Sequence, residues 1–308
     1  MRRTGDLDDE TSHTATAATV GCIGLGAMGA PMARHLLAAR GDLVIHSRRP
    51  RPDLVAAGAT WSATPRELAE QVDAVLVMLP DLPELEALLD GPEGLLAGAG
   101  ELLVMIGSTS SPTGVRSLAK RLRDETGGRV HVVDCPVSGG EDGASAGRLS
   151  IMIGGDPADA ERAAELLAPC GNPVHLGPLG AGEVAKSCNQ LVVAATILAL
   201  GEATVLAERS GIDPRSLWDL LSGGYAGSNL LASRKEKLVT GDDEPSGVAK
   251  YMVKDLRFAT DVAEATETDT ILLPAVRDAF DELVASGLGD RDISVARRFV
   301  AERRRDAG

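Results

Sequence analysis

Lys186 and Asn189 stand three positions apart in the segment Gly180-Ala181-Gly182-Glu183-Val184-Ala185-Lys186-Ser187-Cys188-Asn189-Gln190, which opens the most apolar helical pattern in the chain. Positions three apart share one face of a helix, so an ammonium and a carboxamide project together. A lysine set among Val184, Ala185, Leu191 and Val192 is partly withdrawn from water, and desolvation lowers its proton affinity toward the range of acid–base exchange. Gly182, one turn earlier, is expected to leave space beside the ammonium. Taken alone, the helix favours a plainer reading, a snorkelling lysine paired with a carboxylate. The elements upstream decide between the two.

Thr19 to Ile23 reads as a short strand, Gly24-Leu25-Gly26-Ala27-Met28-Gly29 as a turn, and Pro31 to Ala39 as a helix. GxGxxG between strand and helix is the context in which a dinucleotide pyrophosphate is held. Gly24 permits the tight turn, Gly26 lets backbone approach the pyrophosphate at the helix N-terminus, and Gly29 lets helix pack on strand. After the strand Leu43 to Ile45 the chain reads His46-Ser47-Arg48-Arg49-Pro50-Arg51, with no carboxylate before Asp53. Ser47 and Arg48, with Arg49 as second choice, suit a ribose 2′-phosphate, which predicts NADP(H), with NAD possible.

Further strands are expected at Ala74 to Leu79, Leu102 to Ile106, Val130 to Asp134, Leu149 to Ile153 and Val174 to Leu176. Apolar runs of this kind suit a parallel sheet buried on both faces. The loops after them carry Pro80-Asp81, Gly107-Ser108-Thr109-Ser110-Ser111-Pro112 and Ser138-Gly139-Gly140. The hydroxyls after Gly107 suit either a ribose or a helix cap, and the two glycines after Ser138 free backbone N–H groups for an anion such as a carboxylate. From Gly182 onward the period is helical: Glu183 to Glu208, Pro214 to Leu221, Asn229 to Val239, Ala249 to Thr266, Pro274 to Ser286 and Ile293 to Arg305. The long helix, apolar on most faces, is expected to be buried.

The chain has 308 residues, enough for two cores, and a net charge of −14, which argues against nucleic acid as a partner. Cys22, Cys135, Cys170 and Cys188 form no CxxC pair, so buried reduced thiols and no metal are expected. Residues 1–18 are polar, without the apolar core of a signal peptide, and read as a disordered tail. The run Ser187 to Gly201 falls short of a bilayer span. A soluble, cytoplasmic protein is the expectation.

The ordered set Gly24-Leu25-Gly26-Ala27-Met28-Gly29, Met78-Leu79-Pro80-Asp81, Ser108-Thr109, Ser138-Gly139-Gly140, Lys186 with Asn189, and Lys254-Asp255-Leu256 resembles the β-hydroxyacid dehydrogenase family, from about Val20 to at least Ala263. The resemblance implies an α/β fold with a doubly wound, Rossmann-type sheet (19–180), and an all-α domain (181–308) linked to it by a long helix. It implies Lys186 as general acid/base, and Asn189, Ser138, Gly139, Gly140 and Lys254 holding a small carboxylate-bearing substrate. Met78, Leu79, Pro80 and Thr109 would line the cofactor, with Lys254 closing over it and Asp255 nearby. The apolar long helix suggests a homodimer or homotetramer, although burial between the two domains would explain the same pattern. Two positions depart from the family's pattern: Gly107 stands where Asp is frequent, and Gly247 where an aromatic is common.

The leading expectation is an oxidoreductase passing a hydride between NADP(H) and a small β-hydroxy acid or its semialdehyde. An imine reductase shares the architecture but usually lacks the lysine. A non-catalytic NADP-binding assembly module needs none of Lys186, Asn189 or the Ser138 turn.

Overall fold

The computed structural model describes residues 19–303. The tail expected at 1–18 and the last five residues lie outside them. Apolar runs buried on both faces are satisfied by a sheet with helices on each side, and the first half builds that arrangement. Its strands are β1 (Val20–Ile23), β2 (Val44–His46), β3 (Thr60–Trp61), β4 (Ala74–Val77), β5 (Leu102–Ile106), β6 (Val130–Asp134), β7 (Val137–Ser138), β8 (Leu149–Gly154) and β9 (Gly171–Gly177). They lie in the order β3-β2-β1-β4-β5-β6-β8-β7, with β9 also on β8. From β3 to β6 every pairing is parallel. β8 runs antiparallel to β6 and β7 and parallel to β9. The order reverses between β1 and β4, which opens a ligand crevice at the carboxyl ends of the strands.

One face of the sheet packs Ile45, Leu76 and Met105 against Met32 and Leu36 of helix Gly29–Arg40 and against Ala160 and Leu167 of helix Pro157–Leu167. The other packs Val75, Val104 and Val132 against Leu68, Leu85, Leu118 and Leu122 from helices Pro65–Ala69, Leu82–Leu89 and Pro112–Thr126. Proline at the first turn and an oxygen cap start several of these helices, as at Thr64 and Ser111.

The second half is helical around Ala181–Arg209, about 44 Å long at ~1.5 Å per residue. Helices Pro214–Leu221, Asn229–Thr240, Tyr251–Ala265, Leu273–Leu283 and Ala296–Glu302 complete it. Its core joins Ile197 and Leu200 to Trp218, Leu256, Phe280 and Phe299. Among the described residues this half holds one isolated bridge, Val248 to Asp292, and no strand.

Several expectations need correction. β4 ends at Val77, so Met78 and Leu79 lie in the following loop. The helix expected over Pro274 to Ser286 stops at Leu283 and widens into a π turn at Val284–Leu288, where Gly287 takes φ +82°. The final helix is preceded by a separate 3-10 turn, Ile293–Val295. Cys188 is exposed, unlike the other three cysteines. The long helix is not buried on most faces: Val192 and Leu206 are 64% and 66% exposed, whereas Glu183, Lys186, Ser187 and Gln190 are buried. By length and composition this helix could cross a bilayer; here it is the axis on which the helical half packs.

Candidate active site at the junction of the two halves

The glycine turn has the shape of a dinucleotide cradle. Gly24 has φ +90°, and a Cβ there would run into the Met78 carbonyl. A Cβ at Gly29 would strike the Gly24 carbonyl and come within 3.0 Å of Met78 Cβ. At Gly26 a Cβ would meet nothing within 4 Å, and Gly26 and Ala27 are exposed. Backbone is therefore bare on the outer side and close-packed on the inner side, immediately before a helix N-terminus that favours negative charge. Leu25 is buried and Met28 half-buried. The residues fit a pyrophosphate.

Beyond β2, Ser47 Oγ donates to the Arg49 carbonyl at 2.7 Å, which fixes the turn. Arg48 and Arg49 are exposed. Asp53, the first carboxylate after the strand, is engaged elsewhere. It accepts from Arg51 Nε and Nη2 at 3.0 and 2.9 Å and from Arg34 Nη2 at 2.6 Å. Arg51 also donates to the Leu25 carbonyl within the glycine turn. The sequence expectation puts Arg48 first and Arg49 second; the arginine that reaches the glycine turn is Arg51, beyond Pro50.

The loops after β4 and β5 form the next wall. Ser108 Oγ accepts the Leu79 N–H at 3.0 Å, joining the two loops. Ser111, not Ser108 or Thr109, caps the following helix by accepting the Gly114 N–H at 3.3 Å. A Cβ at Gly107 would strike Met78 Sδ, so the carboxylate side chain frequent in the family would need this methionine to take another rotamer. Lys254 reaches across from the helical half and donates to the carbonyls of Pro80 (2.7 Å) and Thr109 (2.6 Å). Its ammonium also lies 5.4 Å from the Phe258 ring centre.

Lys186 lies behind this wall, 7% exposed, with Nζ donating to Gln190 Oε1 at 3.0 Å. Asn189 Nδ2 donates to the same oxygen at 2.9 Å, and Ser138 Oγ donates to Asn189 Oδ1 at 3.1 Å. Gln190 Nε2 in turn donates to Asp255 Oδ2 at 2.6 Å. The structure thus brings Ser138, Lys186, Asn189 and Asp255 together through Gln190. Asp255 is joined to this lysine network through Gln190 and lies 3.8 Å from Lys254 Nζ. Gly139 (φ +138°) and Gly140 (φ +62°) adjoin Ser138, and a Cβ at Gly140 would meet open space, as an anion-binding turn requires.

Two carboxyls that sequence reading did not single out complete the centre. Asp134, the last residue of β6, accepts the N–H groups of Gly180 and Glu183, both at 2.7 Å, and so caps the long helix from the sheet. Burial raises it to about 6, against the pull of those N–H groups. Glu183 is fully buried and accepts the Ser110 N–H through Oε2 at 3.0 Å. Burial, then neighbouring Asp134, pushes Glu183 well up. Lys186 is pushed down by burial, while Asp255 and then Glu183 oppose the fall. Asp255 is raised, again by burial. Burial disfavours the charged form of each group, while Lys186 and Lys254 oppose that rise at Glu183 and Asp255.

The role expected of Gly182 is corrected by its surroundings. A Cβ there would meet the Met152 carbonyl and lie 2.8 Å from Asp134 Oδ2, so the glycine serves the close approach of helix to sheet and not space at the ammonium. At Gly247 a Cβ would lie 3.3 Å from Arg234 Nη2. Arg234 pairs with fully buried Asp292 at 3.3 Å. A guanidinium thus stands beside the position where the family commonly has an aromatic ring.

Known proteins share this design. The sequence pattern of the NAD-binding domain of 6-phosphogluconate dehydrogenase matches residues 19–180, and that of the NAD-binding region of NADP-dependent 3-hydroxyisobutyrate dehydrogenase matches residues 180–300. The 2-hydroxy-3-oxopropionate reductase of Escherichia coli is 35% identical over 279 residues, covering 89% of this chain and 94% of its own. The NAD-dependent L-serine dehydrogenase of Pseudomonas aeruginosa is 34% identical over 288 residues, covering 90% and 96%. The solved structure of Mycobacterium tuberculosis 3-hydroxyisobutyrate dehydrogenase with L-serine superposes with a TM-score of 0.78 at 30% identity, covering 92% and 99%. With both halves matched in order, the chain belongs to the β-hydroxyacid dehydrogenase family and is an NAD(P)-dependent oxidoreductase acting on CH–OH groups.

Proposed function

We propose that the protein interconverts a small β-hydroxy acid and its semialdehyde, with NADP(H) as the preferred cofactor and Lys186 as the general acid/base. The observation that carries this reading is the buried Lys186 ammonium, aligned by Gln190 beside the Ser138–Asn189 pair. The nicotinamide, when bound, supplies or takes the hydride. Lys186 handles the proton: its neutral amine takes the hydroxyl proton in oxidation, and its ammonium returns one to the carbonyl oxygen in reduction. Burial favours the neutral amine and so brings the exchange nearer neutral pH. The exposed N–H groups of the Gly139-Gly140 turn hold the substrate carboxylate, and Asn189 orients it.

Preference for NADP(H) is supported by the exposed Arg48 and by the engagement of Asp53 with two arginines, which keeps that carboxylate from repelling a 2′-phosphate. Exposed Val192 and Leu206 on the long helix support assembly of two or more copies.

The test is turnover of a panel of β-hydroxy acids and semialdehydes with both cofactors. Lys186→Ala should lose at least ~100-fold in kcat, and a variant as active as the parent would sink the mechanism. Arg48→Ala should weaken NADPH about tenfold and leave NADH nearly unchanged, the loss expected for one charge-assisted contact; equal losses would refute the cofactor assignment.

A further inference from the structure

The loops after β4 and β5 are gripped from the helical half by two groups of opposite polarity. Lys254 donates to the carbonyls of Pro80 and Thr109. Glu183 accepts the N–H of the very next residue, Ser110. Because Ser108 Oγ ties the β5 loop to Leu79, both loops feel both contacts.

Glu183 precedes Lys186 by three positions and Gln190 by seven, which places the three on one helix face. All three are buried. Helix capping does not account for Glu183, since Asp134 already takes the N–H groups of Gly180 and Glu183 itself. Nor is the carboxyl comfortable there: Oε1 is buried with no hydrogen-bond partner among the described residues, and so is Ser110 Oγ. A buried, half-paired carboxyl is costly. What it provides is a bond from the Lys186 helix to the backbone of a loop at the crevice.

We propose that Glu183 is a positioning residue that couples the seating of the cofactor to the placement of Lys186, through its bond to Ser110. The proposal rests on the NADP(H) reading above, together with the expected place of Thr109, in the β5 loop, beside the cofactor. A shift of that loop on NADPH binding pulls on the Glu183 carboxyl, and so on the first turns of the helix that carry the ammonium.

Two variants separate reach from acidity. Glu183→Asp keeps the carboxyl but retracts it by one methylene; Glu183→Gln keeps length and an acceptor oxygen but removes the acid group. Fluorescence titration with NADPH should give a dissociation constant raised about tenfold in E183D, as expected for loss of one hydrogen bond, and within about twofold of the parent in E183Q, which keeps the acceptor. E183D binding as tightly as the parent, or E183Q losing as much as E183D, would overturn the proposal. A measurement on the unaltered protein covers the case in which E183D fails to fold. On adding NADPH, amide hydrogen exchange should slow both in the loop 107–111 and in the helix start 181–186. Slowing of the loop alone would likewise overturn it. A fully active Lys186→Ala would sink the acid–base mechanism and leave these binding and exchange results untouched, so the two failures can be told apart.

Discussion

The first turns of the long helix and its later turns bury opposite kinds of side chain. Between Gly182 and Gln190 the buried positions are Glu183, Lys186, Ser187 and Gln190; from Ala194 to Leu200 they are Ala194, Ile197 and Leu200. The later turns gain stability from apolar area removed from water. The early turns spend it, because each buried charge must be offset by a partner placed to within a hydrogen bond. One helix thus serves as core at one end and as site at the other, and the apolar end holds the polar end in place.

Exchanging the roles of the two ends should break this division. The largest expected effect is Lys186→Met: turnover falls ~100- to 10,000-fold, while Tm moves little, because Gln190 Oε1 keeps its bond from Asn189. A melting curve beside a rate assay checks both halves of that statement. Ile197→Ala should do the reverse, costing about 3 kcal/mol of stability by denaturant titration and leaving kcat intact at temperatures where the variant is folded. Asp134→Asn sharpens the comparison at the sheet end of the helix. Its folded value of about 6 lies above the ordinary 3.8, so the native state holds the extra proton between these values. The stability that Asp134 contributes is therefore full below about pH 4 and is lost as pH rises through 6. Relative to the Asn variant, the parent should lose about 3 kcal/mol across that window, measurable by denaturant titration at each pH. The smallest effect is expected of Asp255→Asn. Asp255 is the leading charge opposing the fall of Lys186, so its neutralisation should move the rising limb of the oxidation rate to lower pH; a limb that stays put or moves up would contradict the pairing.

Much of the frame was legible in the residues because it rests on local pattern. β5 begins and ends where its apolar run does, β6 keeps its expected bounds, and the glycine turn declares itself by spacing. The two-residue β3, Thr60–Trp61, has no period to read and exists only through its pairing with β2. Asp134 was visible merely as the end of a strand, since its partners lie 46 and 49 positions away. Gln190 lies in the same helix start as Lys186, yet an amide on a helix gives no sign that it will join a lysine to an aspartate 65 positions on. Gly182 was misread because the neighbour it accommodates, Met152, belongs to another element. Non-local partners are what one sequence conceals.

The contacts that join the halves also differ in when synthesis makes them possible. Asp134 can cap the helix as soon as Gly180 and Glu183 have left the ribosome, a few residues after β9 completes the sheet. Lys254 follows Glu183 by 71 positions, a delay of several seconds at ~5–20 residues per second. Through that interval the nascent chain has the means to fix the helix to the sheet, while the carbonyls of Pro80 and Thr109 still lack the ammonium that will hold them. The crevice gains its cross-strap late, from a residue in the middle of the helical half.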